Sequence, residues 1–284
     1  MSKNEVNEKP AVTLFKEKYK EVKTLLGKDK ADRFLSAFIQ LANDYNLKDV
    51  NPKSLVNVAM SVARLKLELD PAFKEVYVVP FKNKKNGNVT AQLIISAKGY
   101  KTLCARDGIT IKSFVAYKCD TFNYTFNGWD ETIVFSPNFA DRENEDGDWV
   151  WSNLDTAFAV AKLPNGELIN KFLGAKEIEK RRNVSQNPDG IWITWAEEMI
   201  NKTIIKALVK SLPRIEDDSL IAQALNVDDK PIDVEIVENN KEEKKIPIKP
   251  KSQDELNDIF RYNSNTKQSN RVKDTEELKI KVGA

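Results

Sequence analysis

The chain has 284 residues, of which 41% are apolar and 31% charged, with a net charge of +2 and no histidine. That length suits one large domain or two small ones. The lack of histidine excludes Ser-His and Cys-His nucleophiles, histidine-ligated metals and a histidine general base.

Residues 1–12 are polar and are expected to be disordered. No secretory signal is visible there, and no apolar run approaches the roughly 18 residues of a membrane span, so a cytoplasmic location is expected. From Leu14 to Asn46 apolar residues recur at helical spacing, including Phe34, Leu35, Phe38, Ile39, Leu41 and Ala42. This predicts two helices broken near Gly27. Asn51-Pro52 caps and starts a third helix that runs to about Leu67. Val76–Phe81 and Val89–Ile95 read as the strands of a hairpin, with Asn86-Gly87 in its polar loop. A helix from Ser96 to Asp107 ends at Gly108, a C′ glycine. Strands are predicted at 109–118, about 121–135, 154–163 and 167–173, and helices at about 174–183 and 193–211. Asp141–Asp148 reads as a solvated loop. Residues 226–254 are rich in Asp, Glu, Lys, Asn and Pro, which predicts a flexible tail, with a short helix around Gln253–Phe260.

Charge is distributed unevenly. Residues 60–120 hold eleven Lys/Arg against five Asp/Glu, whereas residues 216–243 hold two against ten. A basic body with an acidic trailing segment suits a nucleic-acid protein. The two cysteines, Cys104 and Cys119, make neither a disulfide framework nor a four-ligand zinc site and read as small buried hydrophobes.

Four stretches combine cations, aromatics and turn chemistry. The hairpin tip carries Lys82, Lys84 and Lys85. On the helix at 96–107, Lys98, Lys101 and Arg106 share one face about 140° wide, opposite Tyr100, Leu103 and Cys104. That face holds no acid, whereas a merely solvated face mixes both signs. Lys180, Arg181 and Arg182 cluster at a helix C-terminus, where cations also answer the macrodipole. The loop beyond them leads to Trp192 and Trp195, residues suited either to core packing or to base stacking. Lys202, Lys206 and Lys210 form one stripe on the last helix, with Glu198 placed to pair with Lys202. Cations on several elements neutralise phosphates without reading sequence. A rival reading, a metal-dependent nuclease, would use Asp70, Glu75, Asp107 and Asp120. A second rival is a non-specific RNA-binding or assembly protein.

Four ordered segments resemble the hallmark segments of the RecT family of phage single-strand annealing proteins. They are Leu67-Glu68-Leu69-Asp70-Pro71, Tyr77-Val78-Val79-Pro80-Phe81, residues 92–100 from Gln92 to Tyr100, and residues 192–208 from Trp192 to Leu208. The resemblance covers roughly residues 50–215. The family usually has glycine where Glu68 and Ser96 stand, arginine where Lys98 and Lys206 stand, and a basic residue where Ala207 stands. The resemblance implies an α+β fold, a small antiparallel sheet with packed helices (the Rad52-like annealing fold), with a helical N-terminal region at 1–50. A DNA-binding core at 51–215 and a flexible acidic tail at 216–284 complete the expected organisation. It further implies ATP-independent annealing of complementary strands without covalent chemistry, no cofactor or metal, and assembly into rings or helical filaments. The implied partners are single-stranded DNA, further copies of the chain, a phage exonuclease and host single-strand binding protein. With Gln92 from the third segment, the expected DNA contacts are Lys82, Lys84, Lys85, Gln92, Lys98, Lys101, Arg106, Lys180, Arg181, Arg182, Trp192, Lys202, Lys206 and Lys210.

Overall fold

A computed structural model describes residues 10–82, 87–128, 130–142, 146–185, 188–213 and 219–229. The N-terminal helices are α1 (Pro10–Leu26) and α2 (Lys28–Ala42), broken at Gly27 as the periodicity predicts. Phe15 of α1 stacks on Phe38 of α2 with ring centroids 4.0 Å apart, and Phe34 lies 6.0 Å away. Helix α1 starts earlier than its polar surroundings suggest. Ala11 and Val12 are buried, so these two apolar side chains draw the first turn onto the body.

Helix α3 (Pro52–Arg64) has Pro52 in its first turn, and the Asn51 side chain accepts from the backbone N–H groups of Lys53 and Ser54. Its N-terminus also pins a strand edge. Asn51 N–H donates to Val89 O at 2.9 Å, and the Ser54 hydroxyl accepts from Ala91 N–H at 2.9 Å. That strand is β2 (Val89–Ile95), antiparallel to β1 (Val76–Lys82) in a two-stranded sheet. Ala91, Leu93 and Ile95 point into the core, the period-2 alternation of a half-buried strand.

Helix α4 (Ala97–Arg106) follows at once, capped by Ser96, whose hydroxyl accepts from Gly99 N–H. Gly108 beyond it has φ +74°, the left-handed conformation of a C′ glycine. A three-stranded antiparallel sheet comes next, in the order β3 (Thr110–Tyr117), β6 (Leu154–Lys162), β7 (Leu168–Gly174). One face of it packs on α8 (Ala196–Ser211). Ala157, Ala159 and Ala161 of β6 are fully buried, and their small side chains let the helix lie close. The other face carries Phe114, Phe158 and Phe172 in one register row across the three strands.

That aromatic row is roofed by a separate hairpin, β4 (Thr121–Asn127) and β5 (Asp130–Ser136). Phe122 and Phe135 lie 5.1 Å and 5.3 Å from the Phe158 ring. The single strand expected at about 121–135 is therefore two strands turning at Gly128. Helix α5 (Gly147–Asn153) occupies part of the expected loop, its N-terminus capped by the Asp146 carboxylate on Trp149 N–H. Helix α6 (Ala175–Asn183) packs on β6 and β7, and a short α7 (Ile191–Thr194) leads into α8.

The body does not stop at 215. Residues Leu220–Asp229 form α9, started by the Ser219 hydroxyl accepting from Ala222 N–H at 3.1 Å. Ile221 and Ala224 are buried in the same core cluster as α1 to α4 and α8. The architecture is thus α+β, with small antiparallel sheets and packed helices. The predicted helix at Gln253–Phe260 falls outside the described residues.

Candidate nucleic-acid interface

The two helices that carry half of the predicted cations, α4 and α8, pack against each other and against β3. Their buried sides are Tyr100, Leu103 and Cys104 on α4 and Ile200, Ile204, Ile205, Leu208 and Val209 on α8. The Cys104 thiol is pushed up to about 12 by burial and the nearby Asp107, so it is an inert core group. Close packing here requires a glycine. A Cβ at Gly99 would stand 2.3 Å from the Glu75 carbonyl oxygen and 2.9 Å from Ile95 Cγ2.

On α4, Lys98 is exposed and Lys101 half-buried, and burial lowers the Lys101 ammonium from its ordinary value. Arg106 behaves differently. Its guanidinium donates to Leu65 O at 2.9 Å and Lys66 O at 2.6 Å, capping the carbonyl end of α3. The sequence placed it on the cationic face, and the structure places it in a joint between helices. The Ser96 hydroxyl also donates to Lys74 O at 2.6 Å, so serine supplies two contacts that glycine would not.

On α8, Lys202, Lys206 and Lys210 span about 80° of the helix surface. Lys210 is exposed, while Lys202 and Lys206 retain only 15% and 19% of their side-chain exposure. Both are held by Asp228 of α9. Lys202 Nζ lies 3.1 Å from Asp228 Oδ1, and Lys206 Nζ pairs with Oδ2. The Tyr100 hydroxyl donates to the same Oδ2 at 3.1 Å, and Ile95 N–H points at Oδ1 at 3.4 Å. Burial raises the Asp228 carboxyl, but Lys202 and Lys206 outweigh it and hold the group below the usual carboxylate range. Ala207, where the family usually carries a cation, faces the core at 9% exposure.

The basic triplet of α6 is divided. Lys180 is exposed, and Arg181 pairs with Glu177 at 2.8 Å within its own helix. Arg182 lies 4.6 Å over the Trp151 ring and donates to Pro188 O at 2.9 Å, tying the polar loop to the body. Trp192 is 5% exposed, its carbonyl accepting from Trp151 Nε1 at 2.8 Å, so packing claims its faces. Among the described residues the exposed tryptophan is Trp195, at 57%, standing as the N-cap of α8. Lys82 is exposed at the end of β1, and Gln92 lies on the outward side of β2, paired with Val79. Lys84 and Lys85 lie outside the described residues.

Three of the four carboxylates of the nuclease reading have structural partners. Asp70 caps the Pro71–Phe73 turn by accepting from Ala72 N–H. Glu75 accepts from Glu68 N–H at 2.8 Å and from the Thr102 hydroxyl at 2.9 Å. Asp120 accepts from the N–H groups of Tyr117 and Asn138 and pairs with Arg142 at 2.8 Å. Among the described residues, no group of three or more His, Cys, Asp or Glu is gathered as a metal site. Nor is any described helix long and apolar enough to cross a membrane.

Sequence reasoning missed Asp228, and named Trp195 beside Trp192 without counting it among the expected contacts. The signal for Asp228 was present in Leu220, Ile221, Ala224, Leu225 and Val227, a helical apolar stripe inside a segment dominated by acids. Trp195 differs from Trp192 by three residues, and only the packing of α7 decides which ring is covered.

The described geometry falls within a known family. The RecT family profile matches residues 32–246. Protein RecT of Escherichia coli (strain K12) is 33% identical over 190 residues, a match that covers 65% of this chain and 65% of that relative. The profile reaches from α2 through α9 and so includes every helix and strand that carries a described candidate contact. The chain belongs to the RecT family.

Proposed function

We propose that this protein binds single-stranded DNA and anneals complementary strands in homologous recombination, without nucleotide hydrolysis or covalent chemistry. The observation that carries the reading is the alignment of Lys202, Lys206 and Lys210 on one stripe of α8, beside α4 with Lys98 and Lys101, within the family match. Helix α8 has 16 residues, and at about 1.5 Å per residue it offers a track roughly 24 Å long. A strand laid along it would meet the Trp195 indole at one end and Lys210 at the other. Ammonium groups neutralise phosphates of any sequence, and base edges stay available for pairing. In this reading Trp195 takes the stacking role that the sequence offered to either tryptophan, and Lys180 with Lys82 extends the cationic surface.

The protein acts in the cytoplasm as an assembly of copies, with the DNA track repeated from one copy to the next. A phage exonuclease supplies its single strands, and the acidic segment beyond the body engages host single-strand binding protein. Two experiments test the central reading. Complementary oligonucleotides should anneal in the absence of nucleotide and magnesium faster with the protein than without it. Affinity for single strands should fall steeply with salt, because neutralised phosphates release counterions. Salt-insensitive binding, or annealing no faster than the spontaneous rate, overturns the proposal.

A further inference from the structure

The cluster of Lys202, Lys206, the Tyr100 hydroxyl and Ile95 N–H is an anion-binding pocket built from three elements, β2, α4 and α8. Its occupant is the Asp228 carboxylate, whose side chain is only 4% exposed. Two ammonium groups, a phenol and a backbone N–H converging on two oxygens is also the donor set that a phosphodiester requires. From the geometry we infer that α9 is an autoinhibitory latch, with Asp228 standing in for a DNA phosphate that takes its place when α9 lifts. This rests on the reading of α4 and α8 as the DNA track.

Three observations favour an exchangeable contact over a permanent strut. First, the site is shared. Helix α9 packs on α4 and β2 while Asp228 reaches α8, so α9 covers the seam between the helices that carry Lys98, Lys101, Lys202 and Lys206. A strand following α8 would have to displace it from Lys202 and Lys206. Second, the apolar hold is small. Among the described apolar side chains of α9 only Ile221 and Ala224 are fully buried, and Leu220, Leu225 and Val227 are partly so. Elements with few buried apolar contacts open locally at low cost. Third, the acids continue past the helix. Asp233, Glu235 and Glu238 follow Asp229 in sequence, so a lifted α9 is repelled by bound DNA rather than returning to compete.

A latch of this type lowers apparent affinity by the fraction of molecules that are open. In the full-length chain, Asp228→Asn keeps the side-chain shape and removes the charge. It should bind a single-stranded oligonucleotide about 3- to 10-fold more tightly at moderate salt and remain folded by circular dichroism. Lys202→Gln with Lys206→Gln, added to Asp228→Asn, should abolish that gain. Hydrogen exchange on the wild-type protein gives an independent readout: the amides of 220–229 should lose protection when the oligonucleotide saturates the site, while those of α4 and α8 gain it. Unchanged or weaker binding by a folded Asp228→Asn variant overturns the latch. If that variant fails to fold, exchange decides, and α9 amides that stay protected in the DNA complex overturn it. Wild-type protein that does not bind single strands at all instead overturns the proposed function.

Discussion

At the scale of single residues, two buried carboxylates hold elements in place through cations, and both make stability depend on pH with the same sign. Burial raises Asp120, but the N–H groups of Tyr117 and Asn138 together with Arg142 bring it below its ordinary value. Asp228 is depressed against its burial by Lys202 and Lys206. A carboxyl depressed in the folded state contributes stability that is fully present above its unfolded value, about 3.9, and is lost as pH falls through the folded value. The stability difference between wild type and Asp228→Asn, followed by urea unfolding, should therefore be constant from about pH 7 to pH 5 and shrink below about pH 4. A difference that grows on acidification would show that the sign is wrong. Arg106 and Gly99 set the other residue-level expectations. Arg106→Ala removes two hydrogen bonds to the end of α3 and should cost about 1–3 kcal/mol of stability, whereas the exposed Lys98→Ala should cost almost none. Lys98 is thus the α4 position at which lost DNA binding can be read without a folding defect. Gly99→Ala forces a Cβ into the Glu75 carbonyl and should cost at least about 1–3 kcal/mol, seen as a lowered urea midpoint with the same slope.

At the scale of elements, the roofing hairpin is the least expected part of the fold. Its hold on the body is the ring cluster of Phe114, Phe122, Phe135, Phe158 and Phe172, and Phe158 sits at its centre, in contact with the other four. Phe158→Ala should cost about 3–5 kcal/mol, whereas Phe126→Ser, at the exposed end of β4, should leave the unfolding midpoint almost unchanged. Equal effects would mean that the hairpin does not pack through that row. The alternation of aromatic and polar residues through Thr121–Ser136 reads as one long strand, although Asn127-Gly128 near its middle is a hairpin-turn dipeptide that marks the break. Elsewhere local signals were sufficient. Asn51-Pro52 marked the start of α3, and the helical spacing of Ile204, Ile205, Leu208, Val209 and Leu212 marked the buried side of α8. The cationic stripe of α8 was legible for the same reason, since spacing alone puts Lys202, Lys206 and Lys210 together. What spacing cannot show is a partner from a distant element. Asp228 lies 22 residues beyond Lys206, and Arg106 meets carbonyls 40 and 41 residues before it. Both contacts depend on how helices pack, which no local pattern encodes.

At the scale of the whole molecule, the coupling between α9 and the DNA track has to run in both directions. If lifting α9 favours DNA, bound DNA disfavours docked α9 by the same factor. The coupling also has an electrostatic signature separate from affinity. Each phosphate neutralised on a single strand adds about −0.7 to the slope of log affinity against log salt concentration. In the wild type, Lys202 and Lys206 are already answered by Asp228, so a phosphate that replaces the carboxylate changes little in the net charge of the pocket. In Asp228→Asn the same two ammonium groups meet DNA with no resident acid, and the slope should steepen by about 0.7. Lys210→Ala, one helical turn beyond Lys206 on the same stripe, should flatten the slope by about 0.7 in both backgrounds, because it removes one phosphate contact whichever residue stands at 228. Lys206→Ala should do little in the wild type and much more in Asp228→Asn. Binding isotherms of one oligonucleotide at four or five salt concentrations, for wild type and these variants, separate the terms. If Lys206→Ala flattens the slope equally with and without Asp228, the carboxylate does not compete with phosphate and α9 is a strut.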